Sequence, residues 1–300
     1  MSLTTLNDSS ANKLVLEAFD SGWKSYEVQG TKFFNKVSPE RVDEKFSITA
    51  ADGAMDAVAE GAAFPSVNVE EVGSKTLSQA VYKKEIPVTK LMKRFDNYGV
   101  VVREAQKLGY RAKYRMDEQM ADVFNNYTST TAPYGCWDGY ALGYGTHTIG
   151  NTASTQSNLG TGALSKTTLN TAVTALAKQK DHGGKQMPTT GKYLIVPPDL
   201  AMTAWELVKS PDDPETADRS KNFMNSLGIQ LVVWPLLTGS TTAWFLVGEK
   251  MFNRLEYLVS IDPTVNYVRD TNTGNNLYQI DFACQAGAPD YLGTYCNSGA

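Results

Sequence analysis

Along one stretch of the chain apolar side chains recur every three or four residues: Val101, Ala105, Leu108, Ala112, Met116, Met120, Val123 and Tyr127. That spacing gathers them on one side of a helix. Residues 97–127 contain no proline, and Asp96 just before them offers a carboxylate to the free amides of a first turn. At 1.5 Å per residue such a helix reaches about 46 Å, enough to act as the spine of a domain. Gly109 in its middle predicts a weak point and a bend.

Elsewhere the pattern is shorter-ranged. Residues 1–45 are polar, with one helix capped by Ser10 or Asn12 and an apolar side of Leu14, Leu16, Phe19 and Trp23. This arm has no core of its own, so it must lie on the body of its own chain or on a neighbour. Residues 47–63 are rich in Ala and Gly, and two alternating runs, 66–72 and 76–86, read as strands joined by a turn at Gly73-Ser74-Lys75. A connection of this length with its own hairpin exceeds an ordinary loop, and such loops usually carry function; the plainer reading is a small β-subdomain packed on the body.

After the spine, residues 133–162 are turn-rich. Ser165 caps a second helix with Leu169, Val173 and Leu176 inward, ended by Gly183-Gly184. A strand at 193–196 stops at Pro197-Pro198, and Asp199 caps a helix with Leu200, Ala204 and Leu207 inward. A charged loop at 210–220 leads into a helix over about 214–227, and strands follow at 229–237, 242–248, 255–261 and 276–287. Helices and strands mix without a regular βαβ repeat, which makes the fold class α+β.

Composition narrows the function. With 300 residues and 42% hydrophobic content the chain builds a sizeable core, as one large domain or two connected ones. A net charge of −4 argues against a protein devoted to nucleic acid. The charge is uneven, however. Residues 1–80 hold twelve acids against seven bases, whereas residues 83–115 hold ten bases against three acids. No apolar run approaches the length of a membrane span, and the first residues lack the basic and apolar regions of a signal peptide, so a cytosolic product is expected. Cys136, Cys284 and Cys296 are widely spaced and suggest neither disulfides nor a zinc site.

Catalytic chemistry finds little support. Asp138 and His147 invite a triad with Cys136 as nucleophile, but no nucleophile motif surrounds the cysteine and nothing in the sequence brings His147 to it. His182 reads as a polar residue beyond a helix C-terminus. Phosphate-loop, dinucleotide, metalloprotease and nucleophile-elbow motifs are all missing, and no cofactor or metal is expected.

Five segments in order do carry a resemblance. They are KKEIPVTKLMKRFDNYG (83–99), DGYALGYGTH (138–147), GALSKTTLNTAVTALAKQKDHGGKQM (162–187), KYLIVPPDLAMTAWELVKS (192–210) and NFMNSLGIQLVVWPLLTGSTTAWFLVG (222–248). Together they resemble the major capsid proteins of tailed bacteriophages, particularly the Mu-like major head subunits, with Gly143 standing where that family usually has an aromatic residue. The resemblance implies a Hong Kong 97-type phage capsid fold: an N-arm (1–45), an extended loop (46–95), a peripheral domain with the spine (96–195 and 275–300) and an axial domain (196–274). It implies pentamers and hexamers of one chain in an icosahedral shell around double-stranded DNA, held without sequence specificity. It also implies a portal and a separate scaffolding protein, room for a decoration protein, no membrane, and a virion assembled in the bacterial cytoplasm. The runner-up is an encapsulin-like compartment, and a third reading is a nucleic-acid binder acting through the basic spine. On this reading Phe64, Val67 and Val69 are buried on adjacent subunits. Lys90, Lys93, Arg94 and Arg103 bind a neighbour's carboxylates, such as Glu70 and Glu71, unless that face looks inward to DNA. Some capsids of this fold are cross-linked through a lysine and an asparagine; Lys75 is the one lysine near the loop tip, with no partner matched, so no cross-link is expected.

Overall fold

A computed structural model describes residues 8–51, 57–64, 66, 69–89, 91–92, 95, 98–150, 152–211 and 221–299. Helix α1 (Asp8–Lys24) and strands β1 (Asn35–Val37), β2 (Asp43–Ala51), β3 (Val69–Ser78) and β4 (Ala80–Val88) precede the spine, helix α2 (Tyr98–Asn125). The apolar stripe of the spine does what its spacing predicts: Val101, Ala105, Leu108, Ala112, Met116, Met120 and Val123 are all buried. Asp96 lies outside the described residues.

Gly109 does not interrupt the helix. A Cβ there would sit 2.2 Å from the carbonyl oxygen of Phe19, and one on Gly22 would sit 1.9 Å from that of Gln106. Two glycines thus let α1 lie backbone against backbone on the spine, and Gly109 marks that close crossing. The buried side of α1 is accordingly Val15, Ala18 and Phe19, with Trp23 half-buried, while Leu14 and Leu16 face outward. The helix starts at Asp8, which places Ser10 and Asn12 inside it rather than at a cap. The arm lies on its own body, and Phe33 and Phe34 enter the central core beside Phe124.

Downstream come the short strands β5 (His147–Thr148), β6 (Thr155–Gln156) and β7 (Leu159–Gly160), then α3 (Lys166–Ala177), β8 (Gly191–Val196), α4 (Ala201–Lys209) and α5 (Phe223–Ser226). Strands β9 (Gln230–Val233), β10 (Trp244–Gly248), β11 (Glu256–Arg269), β12 (Asn276–Gly287) and β13 (Thr294–Asn297) complete the chain. Ser165 forms a capping box with Thr168 at the start of α3. Asp199, in contrast, caps nothing: it sits within a 3-10 turn, and α4 begins one turn later without a side-chain cap. Residues 212–220 of the charged loop lie outside the described residues, and the helix beyond them is the short α5.

Two sheets organise the body. One has the order β1-β11-β12-β4, the other β7-β13-β10-β8-β9. The first takes strands from both ends of the chain and from the segment before the spine, so it closes only when the whole chain is in place. Phe33, Phe124, Trp234 and Phe245 pack into one aromatic cluster between the spine and the second sheet. Strands β2 and β3 pair only with each other.

Glu256 opens β11 at a buried site between Asn35 and Gly287. Burial pushes its carboxyl up to about 7, against a weaker opposing pull from Arg254. A raised carboxyl contributes stability that is complete below its ordinary value, near 4.5, and is lost as pH climbs through about 7. Urea unfolding of the subunit should therefore show lower stability at pH 8 than at pH 5.5. The Glu256→Gln chain should lack that part of the slope, a difference on the order of 2 kcal/mol.

Candidate assembly surfaces

The β2–β3 ribbon corrects one expectation. Gly73, Ser74 and Lys75 form no turn; β3 runs straight through them, paired with Ile48, Ser47 and Phe46. The partner of β3 is β2, and β4 instead pairs with β12 in the body. Gly73 is needed because a Cβ there would meet the Trp137 indole at 2.5 Å. Opposite it the ribbon has a register shift between Ile48 and Thr49. Leu77 and Ile48 are buried at this base. Beyond it the burial ends: Val69 is 60% exposed, Phe64 is 99% exposed, and Glu71 pairs with Lys45 across the ribbon at 3.3 Å. Glu70 is exposed as well. An aromatic side chain held fully in water is costly unless something covers it.

The expected cationic partners are only partly in view. Lys90, Lys93, Arg94 and Val67 lie outside the described residues. Arg103 is exposed on the first turns of the spine, where its Nε donates to the Gly99 carbonyl at 3.2 Å. Arg115 pairs with Glu118, and Lys107 with Glu104. Arg103 and the carboxylates of β3 thus stand on different elements, and the structure of one chain does not bring them together. Leu91 and Phe95, on the approach to the spine, are exposed apolar side chains, as are Met202, Trp205 and Phe223 on α4 and α5.

A buried polar hub braces the ribbon from below. Trp137 donates from Nε1 to Asp290 at 3.2 Å, and His182 Nε2 lies 2.6 Å from the other oxygen of that carboxylate. The backbone N–H of Gly150 donates to His182 Nδ1, so this ring, which the sequence reads as a polar residue beyond a helix C-terminus, is a buried fixture of the fold. Tyr291 stacks on His147 at 3.9 Å between ring centroids. His147 Nδ1 lies 2.7 Å from Asp138, and its Nε2 lies 3.3 Å from the Leu142 carbonyl. With both ring nitrogens committed, His147 has none to offer Cys136. Burial pushes the Cys136 thiol well above its ordinary value, and the Asp290 and Asp138 carboxylates add to that. A thiol so disfavoured as thiolate is not a nucleophile. Among the described residues no cluster of three possible ligands could hold a metal ion, and no helix is long and apolar enough to cross a membrane.

A sequence model of the family described as phage capsid protein matches residues 71–297. The chain belongs to the phage capsid protein family. It is a shell-forming capsid protein with a Hong Kong 97-type fold. The procapsid subunit of bacteriophage JBD30 superposes with a TM-score of 0.58 at 11% identity, over 99% of this chain and 76% of that one. The virus-like particle from Pyrococcus furiosus gives 0.54 at 12% identity, over 95% and 98%. The holo-SrpI encapsulin complex from Synechococcus elongatus gives 0.52 at 9% identity, over 90% and 86%. At these identities the likeness is one of fold. No curated protein sequence matches the chain.

Two features of this capsid protein escape a linear reading. Trp137 and Gly73 meet across the fold, and a glycine inside a strand, where a bulky residue would pack better, is their one local signal. Asp117 is buried on the apolar side of the spine, where Tyr26, Gly30 and Trp234 converge on it. Its signal was available: positions 116, 117 and 120 share one helix face, and 117 is an acid.

Proposed function

We propose that this capsid protein assembles as pentamers and hexamers into an icosahedral head that encloses double-stranded DNA without reading its sequence. The observation that carries the reading is the projecting ribbon: a fully exposed Phe64 and a half-exposed strand need a partner surface, and neighbouring copies in a closed shell supply it. The division into N-arm (1–45), extended loop (46–95), peripheral domain (96–195 and 275–300) and axial domain (196–274) follows the same reading, with β4 counted as the root that fixes the loop to the peripheral sheet. Within it, Phe64, Val67 and Val69 lie on the adjacent subunit. Lys90, Lys93, Arg94 and Arg103 face carboxylates such as Glu70 and Glu71 of the neighbour. The role is structural rather than enzymatic. A portal, a separate scaffolding protein and assembly in the bacterial cytoplasm belong to the same proposal, as does kinship with Mu-like head subunits.

Likeness to an encapsulin favours one second reading, a smaller compartment filled with protein. Electron micrographs of the purified full-length protein separate the two: large shells able to take up DNA, or small cargo-filled ones. Soluble oligomers alone would overturn both. Deleting residues 51–63 should leave a folded subunit that does not close shells. Normal shells from that deletion would remove the role given to the ribbon.

A further inference from the structure

Strand β1 is the shortest strand of the first sheet. It has three residues, lies at the sheet edge and pairs in parallel with Glu256, Tyr257 and Leu258 of β11. Strands β11 and β12, in contrast, stay paired from Glu256 to Arg269. The arm before β1 is fixed independently, by Phe33 and Phe34 in the core and by Tyr26 and Gly30 on Asp117. The chain after β1 leads into β2, one of the two strands of the ribbon. A short edge strand with one anchored end is the kind of element that opens first in a folded protein.

Glu256 sits directly beside this strand. Tyr257 and Val259 join the central core, so alternation turns Glu256 to the opposite face of the sheet. Across the pairing its neighbours are Asn35 on β1 and Gly287 on β12, and Leu77 of β3 fills the place a Cβ on Gly287 would take. None of these three titrates. The Asn35 amide donates elsewhere, to the carbonyls of Lys250 and Asn253, both at 3.3 Å. The nearby cations are also engaged: Lys36 of β1 pairs with Asp262 at 3.4 Å, and Lys250 donates to the Thr31 carbonyl at 2.7 Å. Among the described residues only the exposed Arg254 acts on the buried Glu256 carboxyl as a counter-charge. A carboxylate formed here must find water. Lifting three residues of β1 admits it at far less cost than parting β11 from β12. We propose that β1 is a proton-controlled catch, seated on the sheet while Glu256 is protonated and released, with the β2 root of the ribbon, when Glu256 ionises.

Hydrogen–deuterium exchange of the full-length protein, read by peptide mass spectrometry and corrected for the intrinsic rate at each pH, tests the catch. Peptides covering β1 should exchange about tenfold or more faster at pH 8 than at pH 5.5, while peptides covering β12 should not. Equal protection of β1 at both pH values overturns the proposal, as does an equal loss in β12, which would mean general loosening. The Glu256→Gln chain should hold β1 as firmly at pH 8 as at pH 5.5, and a wild-type response in that chain assigns the transition to another group and overturns the catch. Arg254→Ala tests the carboxyl without altering it. With the opposing cation gone, the midpoint of the β1 transition should move to higher pH, and a midpoint that stays or falls counts against Glu256 as the trigger.

Discussion

Replacing Asp117 with Ala should lower the stability of the subunit by about 4 kcal/mol, since each of three buried donors left without an acceptor costs about 1–3 kcal/mol. The carboxylate is wholly buried. It accepts from the Tyr26 hydroxyl at 2.8 Å, the Gly30 N–H at 3.0 Å and the indole N–H of Trp234 at 3.0 Å. Those donors come from the arm after α1, from the turn before β1 and from the end of β9, so one side chain ties the arm and the second sheet to the spine. Asp117→Asn keeps the volume and one acceptor oxygen but turns an amide toward a donor, and it should cost about half as much. Burial raises the Asp117 carboxyl above its ordinary value of 3.8, outweighing the hydrogen bonds that pull it down. Its contribution is therefore complete below that value and declines as pH rises through the raised one. The gap between the wild-type and Asp117→Asn chains, read by urea titration, should narrow as pH rises. A gap that widens would contradict burial as the dominant influence on this group.

What the sequence revealed depended on the range of the interactions involved. The spine was legible because its stripe is a local, 3.6-residue pattern repeated through many turns, and Ser165 was legible because a capping box closes within four residues. Strand β12 coincides with its alternating run. The ribbon base was misread because Gly-Ser-Lys carries turn chemistry, and only Trp137, sixty-four positions later, explains a glycine in mid-strand. The outward face of α1 was misjudged for a similar reason: its orientation is set by where two backbones can touch, not by where its leucines fall. His182 pairs with an aspartate 108 residues away, beyond the reach of any pattern. Charge asymmetry along the chain marked an acidic and a basic stretch, but how the cations of β4 lie relative to the spine depends on the pairing of β4 with β12, which no local pattern announces.

The crossing of α1 and the spine yields the last expectation, and its sign is what matters. Gly109→Ala would stabilise a free helix by about 1 kcal/mol. In this chain the new Cβ would lie 2.2 Å from the Phe19 carbonyl oxygen and 2.9 Å from the Trp23 amide nitrogen. Both are backbone atoms, so no side chain can swing aside, and α1 must move off the spine. Overpacking of this kind costs about 1–3 kcal/mol, enough to reverse the gain in propensity. Gly109→Val, with two more methyl groups to place, should detach the arm altogether. Gly99 provides the control, being in the same helix with nothing within 4 Å of the place a Cβ would take. Gly99→Ala should be neutral or mildly stabilising. Limited proteolysis reads the outcome in the arm itself: the Gly109→Val chain should be cut between α1 and β1 many times faster than wild type, while the Gly99→Ala chain should resist as wild type does. Equal resistance in both would mean that the arm is held by Asp117 and the buried Phe33 and Phe34 alone, and that the glycine pair contributes nothing to keeping it in place.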